Sequence, residues 1–476
     1  MNFTDILKHK FQGENCQVLG FARSNAPLVK LLLDAGACVT VRDMNPDLLR
    51  KSDTARMLAD RGVLFVLGDR YLDGLGGDYI FRTPAIREDV PEIAAAVKNG
   101  AVLTSEMELF FETCPCPIFG ITGSDGKTTT TTLTHLLLSR EFEKRGKGKA
   151  YVGGNIGAPL LPLCDEMTSD DIAVVELSSF QLQTMKKSPK RAVITNITPN
   201  HLNWHVDMDE YITAKCNICR HTGIEMLVTN AENDVTREIA KNSDLPISYF
   251  SSKKSTYGEI VPFFKENCNA VYENDGVIYF ENGNEREAVL EVSDILLPGR
   301  HNVENYMTAI ALTRGLVSND TIREIATTFG GVEHRLELVR EKNGVRFFNS
   351  SIDSSPTRTA AAISALSKPP IIILGGADKN VPFDGLALDV CTRVKAAVIT
   401  GASASKILEA IEKCPEYDPA RVCIKHIDDF KDAVIAAADM ASEGDVVLLS
   451  PACTSFDRFK DFAERGNCFK DIIRSL

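Results

Sequence analysis

Short apolar runs alternate with helix-like stretches along the whole chain, and their texture changes twice. Runs at 17–21, 38–41, 64–67, 79–81 and 101–103 are rich in branched and aromatic residues. Strands spaced by helices predict a parallel sheet covered on both faces. Prolines in Glu112-Thr113-Cys114-Pro115-Cys116-Pro117 forbid a continuing helix and mark a linker. A second α/β unit follows, with strands predicted at 118–121, 150–152, 172–176, 192–195 and 226–228. From 247 to 297 the runs become short and β-rich, joined by Asn274-Asp275-Gly276 and Asn282-Gly283-Asn284. These are hairpin signals, and they predict a small added β-sheet. A helix over 303–317 leads to Gly330-Gly331, after which runs at 345–348, 371–374, 397–400 and 446–449 predict a third α/β domain. The expected domains are 1–112, 113–331 and 332–476.

Ligands in open α/β sheets bind outside the carboxyl ends of the strands, so the residues following each run carry the chemistry. After the first run stands Gly20-Phe21-Ala22-Arg23-Ser24-Asn25 where GxGxxG would bind a dinucleotide, which leaves a dinucleotide poorly supported. Asp43 closes the second run and could hold a ribose hydroxyl or simply make a turn. Residues 120–132 read GITGSDGKTTTTT. A glycine-rich loop before a helix turns backbone N–H groups toward one point, and Lys127 adds a positive charge: a polyphosphate cradle. A Walker A loop needs GxxxxGK[ST], and Ile121 holds the place of its first glycine, leaving the shorter TGxxGKT.

Glu176 ends an apolar strand in the same domain. A buried glutamate is costly unless it meets a cation, and with the Thr128 hydroxyl it would make a Mg²⁺ site beside nucleotide phosphates. The alternative is a helix-capping turn at 176–179. His201 follows the next strand. With His205 it has i,i+4 spacing, but Pro199 and Asn200 mark a turn and no zincin glutamate is adjacent. His201 is therefore read as facing metal or substrate, and His205 as a surface residue. Lys215, taken alone, reads as an ordinary exposed helical lysine. Asn302 and Asn305 suit recognition of an adenine edge, against plain N-capping at Asn302.

Composition narrows the partners. A formal charge of −12 and a pI near 5.3 argue against nucleic acid and acidic membrane surfaces. The basic run at 144–149 reads as a solvated helix end. No segment approaches the ~18 apolar residues of a membrane helix, and no signal peptide is evident, so a cytoplasmic protein without membrane insertion is expected. The 13 cysteines, with only the close pairs Cys114/Cys116 and Cys216/Cys219, suggest reduced thiols rather than a zinc framework.

In register along the chain stand TGxxGKT at 122–128, ELSSFQ at 176–181, NITPNH at 196–201, Lys215, PGRHNVEN at 298–305, Glu333-His334-Arg335 and SPACTSFDRFKDFAERG at 450–466. Together they resemble the Mur ligase family over nearly the whole chain. The resemblance implies a three-domain α/β architecture: a Rossmann-like amino-terminal domain, a P-loop-type central ATPase domain with the small added sheet, and a Rossmann-like carboxyl-terminal domain. The last segment and the short first domain look like those of the member that adds D-glutamate to UDP-N-acetylmuramoyl-L-alanine. It implies ATP, two Mg²⁺ ions and an N6-carboxylated Lys215, an acyl-phosphate intermediate, and release of ADP and phosphate in peptidoglycan precursor synthesis by a monomer.

The resemblance also implies roles. Gly123, Ser124, Asp125, Gly126, Lys127, Thr128 and Thr129 would hold ATP phosphates, with Arg335 from the carboxyl-terminal domain; Asn305 would take the adenine, and Asn302 also belongs to the ATP site. Thr128 and Glu176 would serve the first Mg²⁺, and His201 and carbamylated Lys215 the second. Lys127, Glu176, His201 and Lys215 form the implied catalytic set. Ser24, Asn25, Asp43, Met44, Asn45 and Thr83 would receive UDP, and Asn155, Ser178 and Gln181 the muramoyl-alanine part. Ser354, Lys379, Ser455 and Phe462 would grip the amino acid. One stretch departs from the family: Asn349-Ser350-Ser351-Ile352 stands where it usually has Asn-Asp-Ser-Lys, losing an acid and a cation, and Arg358 is the candidate to supply the charge. Rival readings are another Mur-fold or folylpolyglutamate synthetase-like ligase, and a non-catalytic UDP-sugar-binding regulator.

Overall fold

The apolar runs assemble into three sheets in a computed structural model that describes residues 2–202, 204–261, 267–378 and 381–476. The first sheet is all parallel, in spatial order Leu64–Leu67, Cys38–Asp43, Asn15–Leu19, Tyr79–Arg82 and Val102–Thr104. The order reverses between Asn15–Leu19 and Tyr79–Arg82, which opens a crevice at that carboxyl edge. Register pairs Leu19 with both Arg42 and Arg82, so the loops after residues 19, 43 and 82 leave side by side.

The second sheet runs Arg286–Glu291, Val277–Glu281, Cys268–Asn274, Ile247–Ser251, Met226–Asn230, Arg191–Ile194, Ile118–Thr122, Ile172–Glu176 and Ala150–Gly154. The β-rich segment was expected as a small sheet of its own. Instead, Cys268–Asn274 pairs in parallel with Ile247–Ser251, and the two hairpin strands continue the same sheet antiparallel. The physical reason is the open edge that Ile247–Ser251 would otherwise present, with a row of unpaired N–H and C=O groups. The third sheet is parallel through Val345–Asn349, Val446–Leu449, Ile371–Leu374, Ala396–Ile399 and Cys423–His426, with antiparallel Glu337–Lys342 on its edge.

The chain divides into two compact units, residues 1–292 with 304–325, and residues 293–303 with 326–476. Within the first unit one apolar cluster runs from Leu28 and Val41 through Phe110 to Val175 and Ile194, joining the first two sheets. Two clusters, one on each face, cover the third sheet: Ile372, Leu374 and Leu448 face one way, and Ile371, Ile373 and Leu449 the other. That alternation is why these strands read as unbroken apolar runs.

Candidate active site

Three strands of the central sheet end together. Ile121 is level with Glu176 and Thr122 with Ile194, so the loop 123–128 and the segments 177–181 and 195–201 leave one edge. The loop is pinned from the side. The Thr195 hydroxyl donates to the Asp125 carbonyl at 2.6 Å, Ser124 N–H donates to Asn196 O at 2.9 Å, and Asp125 N–H donates to Asn196 Oδ1 at 3.0 Å. The Ser124 hydroxyl donates to Thr198 O at 3.0 Å and accepts from the Tyr211 hydroxyl at 2.9 Å. The helix Lys127–Arg145 starts at once. Lys127, Thr128 and Thr129 are its first turn, whose N–H groups have no carbonyl partner within the helix and favour an anion.

Two glycines are required by this geometry. Gly123 and Gly126 have φ of +149° and +78°; a Cβ would lie 1.8 Å from Thr195 Oγ1 at the first and 2.6 Å from Asn305 Oδ1 at the second. Gly126→Ala is expected to cost about 1–2 kcal/mol of stability from backbone strain alone. It should also weaken binding of a polyphosphate at the loop at least about ten-fold, because a displaced Asn305 and a distorted loop act together. Thermal unfolding and titration with ATP as the probe check both, and unchanged binding would show that the loop accepts a side chain.

Around the loop stand the other central residues. Lys127 Nζ donates to Gly123 O at 2.9 Å and Ser124 O at 2.8 Å. Lys215, expected from its sequence context alone to be exposed, is 2% exposed. Its Nζ donates to Gly123 O at 2.7 Å and lies 4.7 Å from the ring centre of Tyr211. Burial, and then the Lys127 charge, lower its pKa from 10.5 to about 7. Glu176 is 1% exposed; Oε1 accepts from Asn155 Nδ2 at 2.8 Å, while the equally buried Oε2 has no hydrogen-bond partner among the described residues. Ser178 and Gln181 form a capping box with each other, so the turn is capped without Glu176.

His201 has φ of +56°, and its ring lies 4.9 Å from that of Phe180. Its pKa is lowered by partial burial and by Lys127 and Lys215. His205 is corrected: it is buried, with Nε2 2.9 Å from Ser179 Oγ and its ring stacked on Phe180. The N–H groups of Trp204 and His205 both bond to the His201 carbonyl, and this tight turn carries the second imidazole inward.

At the first sheet's edge, Asn25 is buried and donates to Gly20 O at 2.9 Å. Asp43 accepts from Phe21 N–H at 2.7 Å and Asn45 N–H at 2.8 Å. Both side chains therefore shape the crevice's loops. Ser24 caps no helix with its side chain, Met44 is exposed, and Thr83 N–H donates to Leu19 O at 3.1 Å. Sequence reasoning passed over Arg82, a fully buried guanidinium at the end of an apolar strand. The only available signal was a charge where the pattern demands burial.

In the second unit, Asn302 Nδ2 donates to Pro298 O at 2.7 Å. Arg335 N–H donates to Val332 O at 2.9 Å. Ser350 is buried and accepts from Leu336 N–H at 3.1 Å. An acid reappears three residues later: Asp353 is buried, accepts from Ser450 Oγ at 2.9 Å, and has its pKa raised by burial against the pull of Ser350, Ser450, Arg335 and Arg358. Arg358 reaches back to the Ile352 carbonyl at 3.4 Å. Ser354 follows on this loop, Ser455 is buried, and the ring of Phe462 meets His334 edge-on at 5.9 Å. Lys379 lies outside the described residues. Arg465, also overlooked, is buried and bonds Ser351 O and Cys453 O, tying the terminal motif to the divergent loop.

Fold and loop define the class: an α/β protein of three sheets, with a P-loop-type glycine loop at the carboxyl edge of the central one. The Mur ligase middle-domain model matches residues 121–313, and the Mur ligase glutamate ligase domain matches 334–453. The chain is 45% identical over 473 residues, 98% of each protein, to the UDP-N-acetylmuramoylalanine–D-glutamate ligase of Acetivibrio thermocellus. It is 43% identical to the protein of that name in Ruminiclostridium cellulolyticum, covering 100% of this chain and 99% of the relative. Two solved structures share the fold. A UDP-N-acetylmuramoyl-L-alanyl-D-glutamate–2,6-diaminopimelate ligase has a TM-score of 0.54 at 15% identity, covering 91% and 92% of the two chains. MurF from Acinetobacter baumannii has 0.54 at 16%, covering 98% and 92%. The chain belongs to the Mur ligase family.

Proposed function

We propose that the protein is an ATP-dependent ligase that joins D-glutamate to the alanyl carboxyl of UDP-N-acetylmuramoyl-L-alanine, releasing ADP and phosphate in peptidoglycan precursor synthesis. The observation that carries this reading is full-length identity of 41–45% to relatives named for that reaction. The expected division into a UDP-substrate domain at 1–112, an ATP domain at 113–331 and an amino-acid domain at 332–476 belongs to the same reading, as do cytoplasmic location and a monomeric state. Among the described residues no helix is long and apolar enough to cross a membrane.

A carboxylate is a poor electrophile, so its oxygen first takes the γ-phosphoryl group of ATP and ADP departs. The neutral amine of D-glutamate then attacks the acyl carbon, the C–O bond to phosphate breaks, and the amine proton is lost. In this reading the amides of 123–129, Lys127 and Arg335 hold the phosphates, Asn305 takes the adenine, and Asn302 also serves ATP. Ser24, Asn25, Asp43, Met44, Asn45 and Thr83 receive UDP. Asn155, Ser178 and Gln181 orient the muramoyl-alanine part, and Ser354, Lys379, Ser455 and Phe462 take D-glutamate.

Two Mg²⁺ ions, when bound, supply charge screening between the two anions and stabilise the transferring phosphoryl group. The residues fit them. The buried Oε2 of Glu176, with no hydrogen-bond partner among the described residues, would offer the first ion an oxygen ligand, and Thr128 would add a hydroxyl. His201 and Lys215 would hold the second. A pKa near 7 leaves much of Lys215 as the neutral amine that captures carbon dioxide; a C–N bond forms, a proton leaves, and a cation becomes an oxygen ligand.

Phosphate release measured with UDP-N-acetylmuramoyl-L-alanine, ATP and each candidate amino acid tests the reading. Release with D-glutamate and not with L-glutamate is expected. Release only with another amino acid or a folate would assign another Mur-fold ligase, and none with any would assign a binding protein.

A further inference from the structure

Arg82 ends the strand Tyr79–Arg82 and is 2% exposed. Its guanidinium faces two ways. Nη1 donates to the Ile86 carbonyl at 2.7 Å, closing the loop that begins at Thr83. Nη2 donates to the Phe180 carbonyl at 2.9 Å and to Thr184 Oγ1 at 3.2 Å, 98 and 102 residues away. Phe180 lies between Ser178 and Gln181. The Thr184 hydroxyl in turn donates to Glu108 Oε2 at 3.3 Å, which also accepts from Ser105 Oγ at 3.2 Å. The same loop is fastened on its other flank. Arg87 donates to Trp204 O at 2.7 Å and Glu210 Oε1 at 2.8 Å, and lies 4.9 Å over the Trp204 ring; Trp204 Nε1 faces Ala85 O at 3.5 Å. Glu210 and Lys215 share the helix Met208–Cys216.

Burying a guanidinium is costly, and packing alone is served as well by an apolar side chain of similar volume. The arrangement does something an apolar residue cannot: it hydrogen-bonds the loop assigned to UDP and the segment assigned to the muramoyl-alanine part at once. We propose that Arg82 is a positioning residue that transmits seating of the UDP end of the substrate to the segment orienting its acyl end, with Arg87 acting likewise toward the Lys215 helix. This rests on the function proposed above. With the loop 83–86 set by UDP, the Phe180 carbonyl is fixed through Arg82, and with it the direction of the 178–181 turn. The alanyl carboxylate is then presented in one geometry, and loss of that alignment costs rate rather than uridine affinity.

The test compares wild type with Arg82→Met and Arg82→Lys in the full chain, measuring dissociation constants for UDP and for UDP-N-acetylmuramoyl-L-alanine by titration calorimetry. Turnover and the KM for ATP are measured in parallel. For Arg82→Met we expect UDP affinity within about three-fold of wild type, the advantage of the full substrate over UDP reduced about ten-fold, kcat reduced about 100-fold, and the KM for ATP unchanged. Arg82→Lys, which keeps the charge but cannot span both segments, should resemble Arg82→Met. A lysine variant with wild-type behaviour, equal weakening of UDP and full substrate, or no change in either would overturn the proposal. If Arg82→Met does not fold, Arg87→Gln decides, since that side chain is 23% exposed; about a ten-fold loss of kcat at constant UDP affinity is expected, and an unchanged kcat overturns it. Wild-type protein that releases no phosphate defeats the proposed function instead, while the ratio of the two affinities still decides Arg82.

Discussion

Lys215→Met should abolish turnover and yet unfold at a higher temperature than the parent. The stability half follows from burial. Lys215 has a pKa of about 7 in the folded chain against 10.5 when solvated, so between those values the unfolded state binds the extra proton. Stability of the parent therefore rises with pH across that window and is penalised most near and below neutrality. At pH 7.5, before carbon dioxide is captured, the penalty is about 4 kcal/mol at 1.36 kcal/mol per pK unit, offset by about 1 kcal/mol for the lost bond to Gly123 O. Methionine removes both the penalty and the pH slope. The activity half follows from the carbamate proposed above, which only a neutral amine can form: parent turnover should decline as pH falls below 7. Lys215→Ala should likewise be inactive while still binding the UDP substrate, with partial recovery in a small carboxylate such as acetate. Full activity in either variant removes the carbamate, and a lowered melting temperature in Lys215→Met removes the burial argument.

Glu176→Gln should reduce kcat by at least about 100-fold and raise the Mg²⁺ concentration needed for half-maximal rate by at least about ten-fold. The buried Oε2 has no partner among the described residues, a state that a carboxylate tolerates only at a cost. In this reading the cost is recovered when a cation arrives. The amide retains one oxygen but not the charge, so it should bind the ion weakly and, without metal, melt no lower than the parent. Circular dichroism with and without Mg²⁺ separates the two effects. If Mg²⁺ raises the melting temperature of the parent and the variant equally in the presence of ATP, Glu176 is not a ligand.

Much of this layout was legible in the sequence because parallel strands buried on both faces are written as unbroken apolar runs, and their last residues fall at the working edge. The loop 123–128, Glu176 and His201 were located in that way. What stayed hidden depends on neighbours remote in the chain. The depth of Lys215 is set by Thr122 and Gly123, 93 and 92 residues away. His205 turns inward because of a local bend onto one carbonyl, which spacing rules do not report. Arg82 carries no motif, since its partners are backbone carbonyls, whose sequence is immaterial, and a threonine hydroxyl 102 residues away. In the divergent loop, the acid missing at Ser350 has a buried counterpart at Asp353, a shift that alignment to a pattern reads only as a loss.

The antiparallel hairpin that prolongs the central sheet also decides which strand lies at its edge. Without it Cys268–Asn274 would be outermost, and its backbone would be a template for strand addition by another chain. The hairpin transfers that role to Arg286–Glu291, where Arg286, Glu287 and Glu291 carry charge and the Arg286 guanidinium lies 3.9 Å over Tyr279. Among the described residues the central sheet keeps nine strands in one open layer, and charged side chains on its outermost strand disfavour edge-to-edge pairing.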